Sequence, residues 1–139
     1  MKYLQPKLAV DCIILFGNKV LFIKRKNKPI GWALPGGFVN YGETVEAAVR
    51  REVKEETGLD LVDLNQFRVY SDPKRDPRGH CVSVVFVAKG KGKPKAGDDA
   101  KDFCLVELNA IEKVKLVFDH QKILADYRES VRQSKSGRR

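Results

Sequence analysis

The sequence predicts a mixed α+β domain, and three features carry that prediction. Two β-rich runs near the N-terminus are joined by a Gly-Asn pair. Residues 44–57 contain neither glycine nor proline and read as a helix. Further apolar strands then lead to a final segment with helical spacing. No internal repeat or linker is visible, so the 139 residues are expected to form one domain, 1–139, with a basic, disordered tail at about 134–139.

The elements follow in order. Residues 7–16 and 19–25 are strands around Gly17-Asn18, where glycine supplies the positive φ that a type II′ turn requires. After the Lys26–Gly31 stretch a short run, Trp32-Ala33-Leu34, ends at Pro35-Gly36-Gly37, which is expected to break the strand. In the helix at 44–57, Thr44 is the expected N-cap and Gly58 the stop. Strands follow at 66–71, at 80–89 (Val82, Val84, Val85, Phe86 and Val87) and at 102–107, the last after a Lys/Gly/Pro/Asp-rich loop over 90–101. The final helix spans about 119–133, with Ile123, Leu124, Tyr127 and Val131 on one face.

Composition narrows the class. Hydrophobic residues make up 42% and charged residues 32%, which permits a sizeable core. The apolar runs Cys12–Phe16 and Val82–Ala88 are too short to cross a bilayer, and the N-terminus has no apolar h-region, so a cytoplasmic protein with no membrane partner is expected. Cys12, Cys81 and Cys104 are odd in number, lie in strand-like runs and read as buried thiols. The net charge of +9 favours anionic partners, although much of the excess sits among Arg128, Arg132, Lys135, Arg138 and Arg139. Nucleic acid is not expected as a partner, because that basic segment has only Tyr127 as an interleaved aromatic.

The informative segment runs from Gly36 to Leu59. At roughly 100° per residue, Glu52, Glu55 and Glu56 fall within about 100° of arc on one helix face. With Glu52 at zero, Val45 falls near about +20°, Ala48 near about −40° and Val49 near about +60°, so the carboxylates share the apolar face. Arg50 and Lys54 lie on the far side. Clustered inward carboxylates need a counter-charge, and with no His or Cys nearby they suit a hard divalent cation, Mg²⁺ or Mn²⁺. Gly36, Gly37 and Gly42 let backbone pass close to a ligand, or serve as ordinary turn residues.

Gly37, five residues, Glu43, seven residues, and then Arg51-Glu52-Val53-Lys54-Glu55-Glu56-Thr57-Gly58-Leu59 resembles the Nudix box at every specified position. The resemblance covers nearly the whole chain. It implies an α/β/α sandwich with a mixed β-sheet between helices, and hydrolysis of a nucleoside diphosphate linked to another moiety. By the same resemblance Glu52, Glu55, Glu56 and the Gly36 carbonyl bind Mg²⁺, with Mn²⁺ as a substitute. Arg51 orients the glutamates, Glu43 braces loop and helix, and Gly37 and Gly58 are structural. Many members of the family dimerise, so a homodimer is among the assemblies the resemblance implies.

Substrate clues lie outside the box. Pro73, about fifteen residues beyond it, and the run Arg75-Asp76-Pro77-Arg78-Gly79-His80 are similar to markers of ADP-ribose pyrophosphatases. Two prolines stiffen this loop, so that Arg75 and Arg78 can grip phosphate or stack on adenine; the alternative is a solvated hairpin. Asp98 or Asp99 completes the metal site or acts as base in family fashion, or simply caps the next strand. His120, in Phe118-Asp119-His120, lines the substrate site or starts the helix. His80 is expected at a strand start facing solvent, and Trp32 in the core. The resemblance thus implies Mg²⁺-dependent cleavage of ADP-ribose, a nucleotide-sugar substrate, to AMP and ribose 5-phosphate. One alternative is a house-cleaning nucleoside triphosphate pyrophosphohydrolase acting on oxidised dGTP. Another is an ADP-ribose-binding sensor, whose relatives carry an added DNA-binding module and tend to have a degraded box; this box is intact.

Overall fold

The computed structural model describes residues 3–97 and 100–136. Strands β1 (Lys7–Phe16), β2 (Lys19–Arg25), β3 (Trp32–Ala33) and β4 (Gly36–Phe38) precede helix α1 (Val45–Thr57). Strands β5 (Asp60–Tyr70), β6 (Cys81–Lys91) and β7 (Ala100–Glu107) follow, then a 3-10 segment (Leu108–Lys113) and helix α2 (His120–Ser136). The seven strands form one mixed sheet in which β1 and β6 pair in parallel and the other pairings are antiparallel.

Alternation along the central strands builds a core on each face. Val10, Cys12 and Ile14 of β1 join Leu21, Ile23 and Phe86 beneath Ala48, Val49 and Val53 of α1. Ile13 joins Val20, Phe22 and Val85 beneath Ile123 and Leu124 of α2. The result is the expected sandwich, with the sheet between two helices. The three cysteines are free thiols, Cys12 and Cys81 buried and Cys104 half-buried. Trp32 packs against the α2-side core as anticipated.

The turn chemistry also follows the sequence. Gly17 has φ 61° at the β1–β2 turn, the Thr44 hydroxyl accepts the Ala47 N–H, and Gly58 closes α1 in the left-handed region. Several elements differ from expectation, among them β7, which begins at Ala100 rather than 102, and the 3-10 segment, which is not among the expected elements. The glycines of Pro35-Gly36-Gly37 do not break a strand; they form β4, paired with Val10 and Asp11 of β1. A Cβ on Gly36 would overlap the Val10 carbonyl, and one on Gly37 would overlap the Glu52 carboxylate, so close approach is what requires glycine here. β5 begins at Asp60 rather than 66, because a largely exposed strand of Asp60, Asp63, Asn65 and Gln66 lacks the apolar alternation that announces a strand. β6 likewise runs on through Gly90 and Lys91 by pairing with that early part of β5. Finally, α2 continues to Ser136, so 134–136, expected within a tail, are helical; Lys135 sits in the last turn, where the helix dipole favours a cation.

Candidate active site

Arg51 organises the acidic segment. Its Nε and Nη2 donate to the two carboxylate oxygens of Glu43 at 2.7 and 2.9 Å. Nη1 donates to Glu52 at 2.7 Å and reaches Glu55 at 3.5 Å, and Nη2 also donates to the Phe38 carbonyl at 3.1 Å. One guanidinium therefore ties β4, the loop before α1 and α1 itself together. Glu43 also accepts the Asn40 N–H at 3.0 Å. The Arg51 bonds, then that backbone bond, hold the Glu43 carboxyl down to about 2.

Glu56 is 4% exposed and accepts the Gly36 N–H at 3.0 Å. Glu56 and Glu52 both line a cavity of about 290 Å³ that also presents Gly36 and Gly37. The side chain of Glu55 is 47% exposed and turns toward Arg51. Among the described residues, no three acidic, imidazole or thiol groups converge on one point. Of the three expected carboxylates, then, two share the cavity and the third stands at its margin. The donor set is nonetheless of hard oxygens, and the two glycines keep Cβ atoms out of it, so the residues fit a hard divalent cation.

The opposite wall is a buried polar network. Arg75, whose side chain is only 4% exposed, places Nε and Nη2 on the two oxygens of Asp119 at 2.9 and 2.7 Å, with Asp11 at 3.9 Å. Burial alone would weaken the charge of Arg75, but the aspartates more than offset this and raise its pKa. Asp11 accepts the Ser83 hydroxyl at 2.5 Å and faces His120 Nε2 at 3.6 Å. His120, 1% exposed, uses Nδ1 to accept the Leu34 N–H at 3.0 Å. In the neutral ring the proton must therefore reside on Nε2, toward Asp11. No buried side-chain polar atom among the described residues lacks a partner.

The sequence-derived candidates thus separate. Arg75 and His120 do line the cavity, but their polar atoms are engaged by the protein. Arg78 is an exposed residue held by Asp76 in a forked pair, at 2.8 Å for Nη2, with its guanidinium 5.3 Å from the rings of both Phe38 and Phe118. That hydrogen bonding raises its pKa. The Arg75–Arg78 loop is accordingly not a solvated hairpin. His80 is exposed, its Nε2 3.0 Å from the Ser71 carbonyl oxygen. Asp98 and Asp99 lie outside the described residues. Sequence reasoning missed Asp11, Arg25, Asp76 and Phe118, all lining the cavity. For Asp11 a signal existed: it is the one carboxylate within the otherwise apolar run Leu8–Phe16.

A sheet sandwiched between two helices, with an acidic helix opening on a cavity rimmed by arginines, defines a class of protein built to hold anionic ligands against a cation. Comparison makes the class specific: residues 5–127 match the NUDIX domain, and the chain belongs to the Nudix family. It is 56% identical over 128 residues to the ADP-ribose pyrophosphatase of Methanocaldococcus jannaschii, covering 90% of this chain and 75% of that protein. The NUDIX domain of Shewanella oneidensis NrtR, solved with ADP ribose, superposes with TM-score 0.84 at 27% identity, covering 93% of this chain and 90% of that one. A bifunctional NMN adenylyltransferase/ADP ribose pyrophosphatase of Francisella tularensis, solved with AMP and a Mn ion, gives TM-score 0.83 at 29% identity, covering 94% of this chain but 43% of that one. No helix among the described residues is long and apolar enough to cross a membrane.

Proposed function

We propose that this chain is a Mg²⁺-dependent hydrolase that splits the diphosphate bond of ADP-ribose into AMP and ribose 5-phosphate. The observation that carries this reading is the cavity itself, which sets Glu52 and Glu56 of the box against Arg25 and Arg78. The 56% identity to a named ADP-ribose pyrophosphatase supports the choice of substrate.

Glu52, Glu55, Glu56 and the Gly36 carbonyl would hold the cation, Mg²⁺ with Mn²⁺ as a substitute. When bound, that cation supplies neutralisation of the diphosphate and acidifies the attacking water. Arg51 fixes Glu52 against the cavity and reaches Glu55 at its edge. Glu56, held in place by the Gly36 N–H, would be one of those ligands. A box carboxylate takes the proton of water as it attacks phosphorus. Arg78, already oriented by Asp76, offers a fixed positive charge to the substrate's phosphates. Arg75 and His120 contribute by shaping the wall. A cytoplasmic homodimer is the assembly and location that accompany this reading.

Phosphate release after phosphatase coupling, measured across ADP-ribose, other ADP-sugars and oxidised dGTP, tests it. ADP-ribose should give the highest kcat/KM and require divalent metal. A preference for the triphosphate would overturn the assignment.

A further inference from the structure

Phe118 stands out in the cavity wall. Among the described residues only Asp63 and Phe118 combine a side chain with positive φ, and of the two only Phe118, at 57°, lines the cavity. An aromatic residue avoids that backbone region unless its surroundings impose it. Here the neighbours on both sides are tethered. The Val117 N–H donates to the Trp32 carbonyl at 2.9 Å, Asp119 is clamped on Arg75, and His120 accepts the Leu34 N–H. The left-handed turn between these anchors aims the Phe118 ring at the cavity, where it meets two guanidiniums, Arg25 at 5.1 Å and Arg78 at 5.3 Å.

Each arginine is also held from behind, Arg25 by the Pro29 carbonyl at 2.9 Å and Arg78 by Asp76. Two like charges sharing one ring repel, and burial followed by the charge of Arg78 lowers the pKa of Arg25. Cation–π attraction offsets part of that cost, and an anion placed between the pair would relieve it. Asp76 answers Arg78, but Arg25 draws its bonds from backbone carbonyls.

We propose that Phe118 is a positioning residue for substrate: its ring, fixed by strained backbone, holds Arg25 and Arg78 as a two-armed clamp for the diphosphate of a nucleoside diphosphate derivative. The inference rests on the proposed hydrolase reading, and it adds Arg25 as a binding residue and Phe118 as its support.

The test compares wild type with Phe118→Leu, Phe118→Tyr, Phe118→Asn and Arg25→Gln. Readouts are kcat and KM on ADP-ribose, the Kd for inorganic pyrophosphate by calorimetry without divalent metal, and Tm. Phe118→Leu, Phe118→Asn and Arg25→Gln should each raise KM and the pyrophosphate Kd by about tenfold, with kcat within about twofold. Phe118→Tyr should restore both constants. Phe118→Asn should keep or raise Tm, since asparagine accepts the left-handed region more readily. Unchanged KM and Kd in a folded Phe118→Leu would overturn the clamp, as would kcat and Tm falling together without a change in pyrophosphate affinity. If Phe118→Leu does not fold, Arg25→Gln and the Phe118→Tyr rescue decide by the same criteria. Wild type inactive on ADP-ribose, with pyrophosphate affinity still dependent on Arg25 and Phe118, would remove the substrate assignment and leave the clamp standing.

Discussion

The two walls of the cavity are both rich in charge, and they are built on opposite plans. The acidic wall is local: Glu52 and Glu56 line the cavity from one helix, and Arg51 and Glu43, which brace it, come from that helix and the loop before it. The other wall draws Asp11 from β1, Ser83 from β6, Arg75 from the β5–β6 connection and His120 from α2, and its charges are matched within the protein. Neighbouring carboxylates on one wall supply the hard oxygens that a divalent cation takes. A matched, buried network has little left to give a ligand, and its value lies in rigidity. Charge content alone therefore does not mark a functional residue; the local balance of charge does.

The largest test of that contrast is Glu56→Gln. On the acidic wall it should lower kcat by about a thousandfold at saturating Mg²⁺. The fold should survive without metal, because glutamine still accepts the Gly36 N–H. Wild-type turnover in this variant would sink the metal-site reading.

Arg75→Ala should do the reverse. It leaves the half-buried Asp119 without its forked partner and takes a cation from beside Asp11, which keeps the Ser83 hydroxyl, so unfolding in urea should show about 3 kcal/mol of lost stability. Arg78→Ala also strands a carboxylate, the buried Asp76, so it should cost stability as well; what should set it apart is a rise in KM. An equal rise in KM in the two variants would dissolve the distinction between a wall residue and a ligand-facing one.

A smaller effect is expected at His120. Alanine there orphans the Leu34 N–H and should cost about 1–3 kcal/mol, while asparagine, which can supply an acceptor, should recover part of it. No difference between the two in urea midpoint would show that the Leu34 bond contributes nothing.

The mildest test is by titration. The folded Glu43 carboxyl is depressed to about 2 from its usual 4.5, so its bond to Arg51 adds stability that is complete above the usual carboxylate range and is lost as pH falls through about 2. The Glu43 side-chain carbonyl carbon, followed by NMR, should titrate near that value in wild type and move upward in Arg51→Lys. A midpoint near 4.5 in wild type would contradict the forked pairing.

What was legible in the sequence follows the same local-versus-distant divide. The acidic helix, its cap, its stop and the inward turn of Glu52 and Glu56 could be read from spacing, because their partners lie within a few turns. β4 escaped notice because its glycines are there to let Val10 and Glu52 approach, and neither is near in sequence. Arg75 and Arg78 look alike in the chain; only the arrival of Asp119, from the start of the last helix, sends one into the wall and leaves the other at the rim. Phe118 lies in the Phe118-Asp119-His120 run that draws notice for His120, but its backbone conformation, imposed by tethers on both sides, has no sequence signal.

The parallel pairing of β1 with β6 governs the order in which the cavity can come into being. A strand at the front of this domain has its longest ladder with one made much later, Lys7–Leu15 against Cys81–Lys89. Until that later strand leaves the ribosome, Ile13 and Ile14 lack part of their cover and the Asp11 carboxylate has no Ser83. The β1–β2 hairpin can form at once, but contacts of such wide separation close late and slow the whole chain. Substrate-competent molecules therefore appear only after α2 has docked, so a nascent chain arrested before residue 120 would carry the entire acidic box and no finished pocket.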